Sequence, residues 1–305
     1  MIDETVNKLI ENLPDEVKNV KSPKRIDVIL DGGIFNGSYL IGALHFLKEM
    51  ERRKYIKVER ISGCSVGAIC ALLYYIDGLD LVPYLYEIIN SDFRQTYNLK
   101  IIQELKEHIK QFMNADICEK VNKKLYITYH NIRKHKKCIK YKYKDIDDIL
   151  DTIIRSSYIP YLINNEFLYK NKYIDGMTPY IFTQKKGKKI IYMDLYGYDK
   201  IFNLLNIKNE NTNYHRILSG VLDIHSFYIK NRSTAMCSYV NNWQITNIGF
   251  NYMKQFVERI ILYGLYFVVY VKERFASDSY VKYVIVLMSS MVASAYILFI
   301  KKYCI

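Results

Sequence analysis

An α/β fold with a mainly parallel sheet between helices is predicted by three observations: an apolar strand-like run that ends in a glycine turn, a second strand that ends in a turn of small residues, and an apolar helix after each. The first strand, residues 25–30, reads Arg-Ile-Asp-Val-Ile-Leu, the kind of run buried in a parallel sheet, and it passes directly into Asp31-Gly32-Gly33. Residues 37–47 then read as a helix that is apolar on most sides. Residues 57–61 supply the second strand and residues 68–75 the second helix. This is a βαβα start.

The remaining elements follow in order. Residues 1–22 form a short polar helix ended near Pro23, and residues 80–120 carry Tyr84, Leu85, Ile88, Ile89, then Ile101, Ile102, Leu105, Ile109 and Phe112 at helical spacing. Alternation of Leu125, Ile127 and Tyr129, and of Ile139, Tyr141 and Tyr143 beyond a basic turn, predicts extended chain over 123–143. A helix over 145–157, a short hairpin over 166–174 and a strand over 188–195 come next, and residues 215–275 read as largely helical. The expected division is a leader over 1–24, a principal α/β domain over 25–195 and a helical C-terminal region over 196–305.

Half of the 305 residues are apolar, so the chain is globular, and its formal net charge of +13 suits nucleic acid or anionic lipid as partner. No recognition module for nucleic acid accompanies the interleaving of Arg133, Lys134, Lys136, Lys137, Lys140, Lys142 and Lys144 with Tyr141 and Tyr143. These lysines, with Lys185, Lys186, Lys188 and Lys189, suit an anionic membrane surface. The six cysteines include no C-x-x-C pair and no Cys/His cluster at metal-ligand spacing, so neither a structural zinc nor another cofactor is expected. The first residues lack the basic start and apolar run of a secretory signal, which predicts an intracellular protein. Residues 283–300 hold no charge and are bracketed by Lys282 and Lys301-Lys302. As a helix they just reach across a hydrocarbon core of roughly 30 Å, which makes them a candidate membrane segment. The apolar run over 260–271 is too short to span and is assigned to the core or an interface.

Gly63-Cys64-Ser65-Val66-Gly67 fits a G-x-S-x-G nucleophile elbow in its required setting, strand before and helix after, with Ser65 as candidate nucleophile. A serine needs a base for its proton and donors for the oxyanion. Backbone N–H groups of the turn from Gly32 and Gly33 through Ile34 and Asn36 to Gly37 can point at an anion from between a strand and a helix. None of the six histidines has a local signature of a base. Asp175, followed by Gly176 at the end of a strand, has room to accept a proton, although an Asp-Gly pair alone more often marks a turn.

These pieces, in this order, resemble the patatin-like phospholipase family: the Gly32–Gly37 turn with its Ser-Tyr-Leu-Ile-Gly-Ala-Leu helix, the elbow at Ser65, the Ser-Ser-x-x-Pro segment at Ser156, Ser157 and Pro160, and Asp175-Gly176. The resemblance spans roughly residues 26–195. It implies a three-layer α/β/α fold and a Ser-Asp dyad that hydrolyses phospholipids or other acyl esters without a metal, Ser65 attacking and Asp175 serving as base and then acid. It also implies an oxyanion hole from the backbone around Gly32, Gly33 and Ile34. Three positions depart from the family pattern. Ile34 replaces its third glycine, Asn36 its Arg or Lys, and Met177 the Gly or Ala after Asp-Gly. The alternative reading is a patatin-fold membrane-binding or interaction protein with weak or no activity.

Overall fold

The computed structural model describes residues 2–164, 166–197, 203–275 and 279–305, without the side chains of Ser279, Val281 and Lys282; the bracketing role expected of Lys282 therefore lies outside the described residues. The strands are β1 (Lys24–Leu30), β2 (Ile56–Cys64), β3 (Leu125–Asn131), β4 (Lys136–Lys140), β5 (Tyr173–Ile174), β6 (Lys189–Met193) and β7 (Cys237–Tyr239). They form one sheet in the order β4-β3-β2-β1-β6-β7, with β5 also paired to β3. The inner strands β3, β2, β1 and β6 run parallel, and β4, β5 and β7 are antiparallel additions. The helices are α1 (Ile2–Glu11), α2 (Asp15–Lys18), α3 (Gly37–Arg52), α4 (Val66–Tyr75), α5 (Val82–Thr96), α6 (Ile101–Lys110), α7 (Ile117–Val121), α8 (Ile146–Ser156), α9 (Tyr214–Lys230), α10 (Ile245–Arg274) and α11 (Ser279–Tyr303).

The inner strands are buried through their carboxyl-terminal halves because both of their faces are covered there. Val28 and Leu30 of β1 join the main core with α3, α4, α8 and α9, whereas Ile29 between them joins Phe182, Ile190 and Tyr192 on the opposite face. Each such side chain contributes about 1.5–3 kcal/mol on burial. The opposite face is closed by the extended stretch around Tyr180 and Phe182, by Trp243 and by α10, which reaches Tyr192 through Lys254. The architecture is the expected one, a mostly parallel sheet flanked by helices with further helices at the C-terminus.

Helix α9 crosses α3 almost backbone to backbone. A Cβ on Gly42 would lie 1.9 Å from Ile217 O, and one on Gly220 would lie 1.9 Å from Tyr39 O. This crossing carries Arg216, one turn before Gly220, to the glycine turn. The polar leader packs instead of trailing, because Val6, Ile10 and Leu13 insert into the main core.

Three local expectations differ from the structure. The helix expected over 1–22 breaks before Pro14 into α1 and α2. The hairpin over 166–174 reduces to one bridge between Tyr169 and Tyr173, because Lys170 and Asn171 both take left-handed φ in a turn too tight for a ladder. The strand emerging from it pairs with the end of β3, Ile174 opposite His130. Within the stretch read as helical, residues 237–239 form β7 on the free edge of β6.

Candidate functional site

The carboxyl ends of β1 and β2 lie side by side, Leu30 opposite Gly63, so the turn after each strand meets the other at the edge where open α/β sheets bind ligands. A Cβ on Gly32 would stand 3.1 Å from Ser65 Cβ. Ser65 sits between β2 and α4 at φ 51° and ψ −130°, a left-handed conformation that costs a non-glycine residue about 1–3 kcal/mol. Gly67 permits the close turn, since a Cβ there would lie 2.6 Å from both Leu30 O and Asp31 O; Gly63 faces it from the strand.

The end of α8 holds this strained residue. The Ser65 N–H donates to Ser156 Oγ at 3.0 Å and Ser156 O at 3.1 Å, and Ser156 Oγ donates to Thr128 O at 2.6 Å. The same segment supports Asp175 after β5: the Asp175 N–H donates to Tyr158 O at 2.9 Å and the Gly176 N–H to Ser156 O at 3.3 Å. One strut therefore sets the spacing between both candidate dyad residues.

The Asp175 carboxylate lies beside the Ser65 hydroxyl, which lowers its pKa, and it accepts a hydrogen bond at 2.7 Å from the Met177 N–H. Burial pushes its pKa up to about 6, and these two neighbours oppose that rise. None of the six histidines bonds Ser65. The buried His130 instead pairs through Nε2 with Glu258 Oε1 at 2.6 Å.

Residues 28–178, from β1 to just past Asp175, match the family model of the patatin-like phospholipases. This stretch is a patatin-like phospholipase domain. No curated protein matches it.

Set against the patatin-like pattern, the glycine turn has a specific defect. Ile34, in place of the third glycine, takes φ 44°, a left-handed conformation that is an outlier for a β-branched residue. Met177, the third departure, is left-handed as well at φ 52°. Ile34→Gly is expected to relieve about 1–2 kcal/mol of backbone strain and to give acyl release at least equal to wild type. A thermal melt and an acyl-release assay check both, and reduced turnover would show that the isoleucine side chain serves the site.

Most amides of the turn are already engaged. The Gly32 N–H donates to Asp31 Oδ1 at 3.0 Å, the Asn36 N–H to Gly33 O at 2.8 Å, and the Gly37 N–H back to Ile34 O and Phe35 O. Among the described residues, the N–H groups of Gly33 and Ile34 have no acceptor.

The side chain of Asn36 is wholly buried. Its Oδ1 accepts from Arg216 Nη1 at 2.7 Å, and its Nδ2 reaches Leu195 O at 3.4 Å. Arg216 is itself fully buried; it also donates to both oxygens of Glu210 and to the carbonyls of Asn203 and Asn206. A cation thus stands behind the turn, reached through Asn36 and supplied by α9.

A second cation comes from α10. Lys254 Nζ lies 2.6 Å from Asp31 Oδ2 and 3.0 Å from Asp194 Oδ1, and Tyr192 donates to the same Asp31 oxygen at 2.9 Å. Burial raises the pKa of Asp31, with Lys254 opposing it most strongly. An uncompensated carboxylate here would repel an anion placed at the Gly33 and Ile34 amides; Lys254 offsets it.

Two cavities meet at Ser65. The first, about 120 Å³, runs between α4, α5, α6 and α8 with walls such as Ile69, Leu73, Leu85 and Ile153. The second, about 740 Å³, also reaches Asp175 and the Gly32–Ile34 turn, and extends to Phe250, Met253 and Val257 of α10 and Val292 and Tyr296 of α11. Among the described residues, one His/Asp group of metal-ligand type is present, Asp3, His45 and Asp80. It shares no residue with either cavity, and Lys48 and Arg52 line its recess.

Sequence reasoning missed Arg216, Lys254 and Glu258. Lys254 and Glu258 carried a usable signal, opposite charges four apart in a helix otherwise rich in apolar residues. Arg216 carried none, since a lone arginine in an amphipathic helix reads as solvated.

Proposed function

We propose that this chain is a serine-dependent lipid acyl hydrolase of the phospholipase A type or a related acyl-ester hydrolase. The observation that carries the reading is the buried Asp175 carboxylate beside the Ser65 side chain, at the place where the two cavities meet. Ser65 Oγ attacks the ester carbonyl as its proton passes to Asp175, and the Gly33 and Ile34 N–H groups receive the oxyanion. Asp175 returns the proton to the leaving alcohol, and water then releases the fatty acid by the reverse roles. The apolar cavity beneath Ser65 accepts the acyl chain, and the wider cavity the remainder of the lipid.

Membrane association belongs to the same proposal. Tyr283–Tyr303 is long and apolar enough to cross a membrane by length and composition. Of the basic residues, Arg133, Lys137, Lys140 and Lys188 are paired with carboxylates. Lys134, Lys136, Lys142, Lys144, Lys185 and Lys186 remain exposed, which supports an anionic lipid surface as partner.

The test is a panel of phospholipids and neutral acyl esters, with fatty-acid release measured for purified wild type and the labelled residue mapped after reaction with a fluorophosphonate. Release and labelling at Ser65 are expected. Absence of both would favour the non-catalytic, membrane-binding reading; labelling elsewhere would remove Ser65 as nucleophile.

A further inference from the structure

Helix α10 has its polarity reversed relative to a helix on a water-exposed surface. Lys254, Glu258 and Leu262, at successive i, i+4 positions, form its inward stripe. Lys254 is clamped to Asp31 and Asp194, and Glu258 to His130, Lys137 and Thr178. The opposite stripe consists of Ile245, Tyr252, Phe256, Ile260, Tyr263, Phe267 and Tyr270, all exposed, with Phe256 at 63% and Tyr263 at 71%. Ordinary amphipathic helices turn apolar residues to the core and charges to water. Here Lys254 and Glu258 are satisfied within the protein, and aromatic groups are directed out beside the exposed Arg259.

Helix α11 continues this surface. Tyr283, Met288, Met291 and Leu298 are exposed, and only 6% of its most apolar window is buried. Its far end is nonetheless fixed to the catalytic core: Ile300 and Cys304 are buried beside Phe35 and Leu162, the Ile207 N–H donates to Cys304 O at 2.8 Å, and Tyr161 Oη lies 3.1 Å from Ser289 Oγ. A helix docked at its middle and its last turn cannot also deliver residue 305 across a bilayer.

We infer that α10 and α11 together form a monotopic face that seats the protein on a lipid bilayer, with the cavity leading to Ser65 opening between them so that a lipid enters sideways from the membrane. The occupant is argued from the outward tyrosines and phenylalanines, which suit the interfacial zone. Continuity supports the same occupant, because Phe250, Met253 and Val257 of α10 with Val292 and Tyr296 of α11 line the cavity that reaches the Ser65–Asp175 pair. The direction of substrate entry rests on the hydrolase reading; the membrane contact does not.

The experiment is flotation with phosphatidylcholine vesicles, with and without phosphatidylserine, on the full chain and on the variant Phe256→Asp/Ile260→Asp/Tyr263→Asp. A second variant, Met288→Asp/Met291→Asp, tests α11. Both are expected to lose at least tenfold in vesicle binding and in release from vesicle lipid, with hydrolysis of a soluble short-chain ester unchanged. Flotation equal to wild type overturns the inference. So does conversion of a dimer to a monomer with flotation unchanged, which would make this face a contact between copies. Protection of a C-terminal tag from protease added outside the vesicles would overturn the monotopic arrangement. A wild type that floats yet hydrolyses neither substrate would uphold the membrane face and remove the hydrolase reading.

Discussion

Ser65→Ala is expected to lower acyl release on the order of 10⁵–10⁶-fold, and Asp175→Asn by about 10⁴-fold, near 5.5 kcal/mol of barrier. The second substitution preserves shape and removes only the capacity to take a proton, so its effect isolates the base. Because burial holds Asp175 at about 6, kcat/KM of the wild type should rise from pH 5 to 7 and level above that as the carboxylate form fills. The residual rate of Asp175→Asn should not follow that rise. Stability runs the other way. A carboxyl whose pKa is raised by folding favours the folded state at low pH, and this contribution is lost as pH climbs from the unfolded value through about 6. Asp175→Asn should therefore melt no lower than wild type at pH 8. A wild-type rate independent of pH over 5–7, or an asparagine variant that keeps full turnover, would remove Asp175 as the base.

The parts of the site visible in the sequence are those built from neighbours along the chain. The elbow is local: a strand, a tight turn around Ser65 and a helix lie within one stretch, and the glycine at 67 is demanded by the approach of Leu30 and Asp31 carbonyls. Strand β1 was visible because burial on both faces makes its Val-Ile-Leu end apolar, and β2 because it leads directly into the elbow. Asp175 was visible only through its resemblance, since nothing local distinguishes it from an Asp-Gly turn; its support comes from Ser156 and Tyr158 through tertiary hydrogen bonds. Strand β7 was hidden because three residues carry too little periodicity, and its pairing depends on the free edge of β6. The polarity of α10 was hidden for a related reason. Its charges look solvated until Asp31, Asp194, His130 and Lys137, drawn from three other parts of the chain, are seen beneath them.

Arg216→Met is expected to be the most damaging change outside the dyad, although no atom of Arg216 reaches Ser65. All three guanidinium nitrogens donate, to Glu210, Asn36, Asn203 and Asn206, so the apolar replacement leaves the largely buried Glu210 carboxylate with only Tyr86 and His215 and removes a donor from Asn36 and from two carbonyls. Breaking a buried ion pair on one side costs about 3–5 kcal/mol, a large part of the roughly 5–15 kcal/mol that holds a domain folded. The melting temperature should fall by roughly 10 °C. Arg216→Lys should not restore it, because an ammonium cannot reproduce the planar fork to Glu210 while still reaching Asn36. Arg216→Met/Glu210→Gln should recover part of the stability, since it removes the buried charge that has lost its guanidinium partner. It should not recover the turnover, because the cation behind Asn36 is still absent and the Gly33 and Ile34 amides lose their fixed orientation. Loss of one oxyanion donor costs about 10²–10³-fold in kcat, and that is the deficit expected of the double variant at a temperature where it is fully folded. Thermal melts and acyl release on the three variants separate the two effects. Full turnover in a folded Arg216→Met/Glu210→Gln protein would confine Arg216 to a structural role and leave the turn to be oriented by its own backbone.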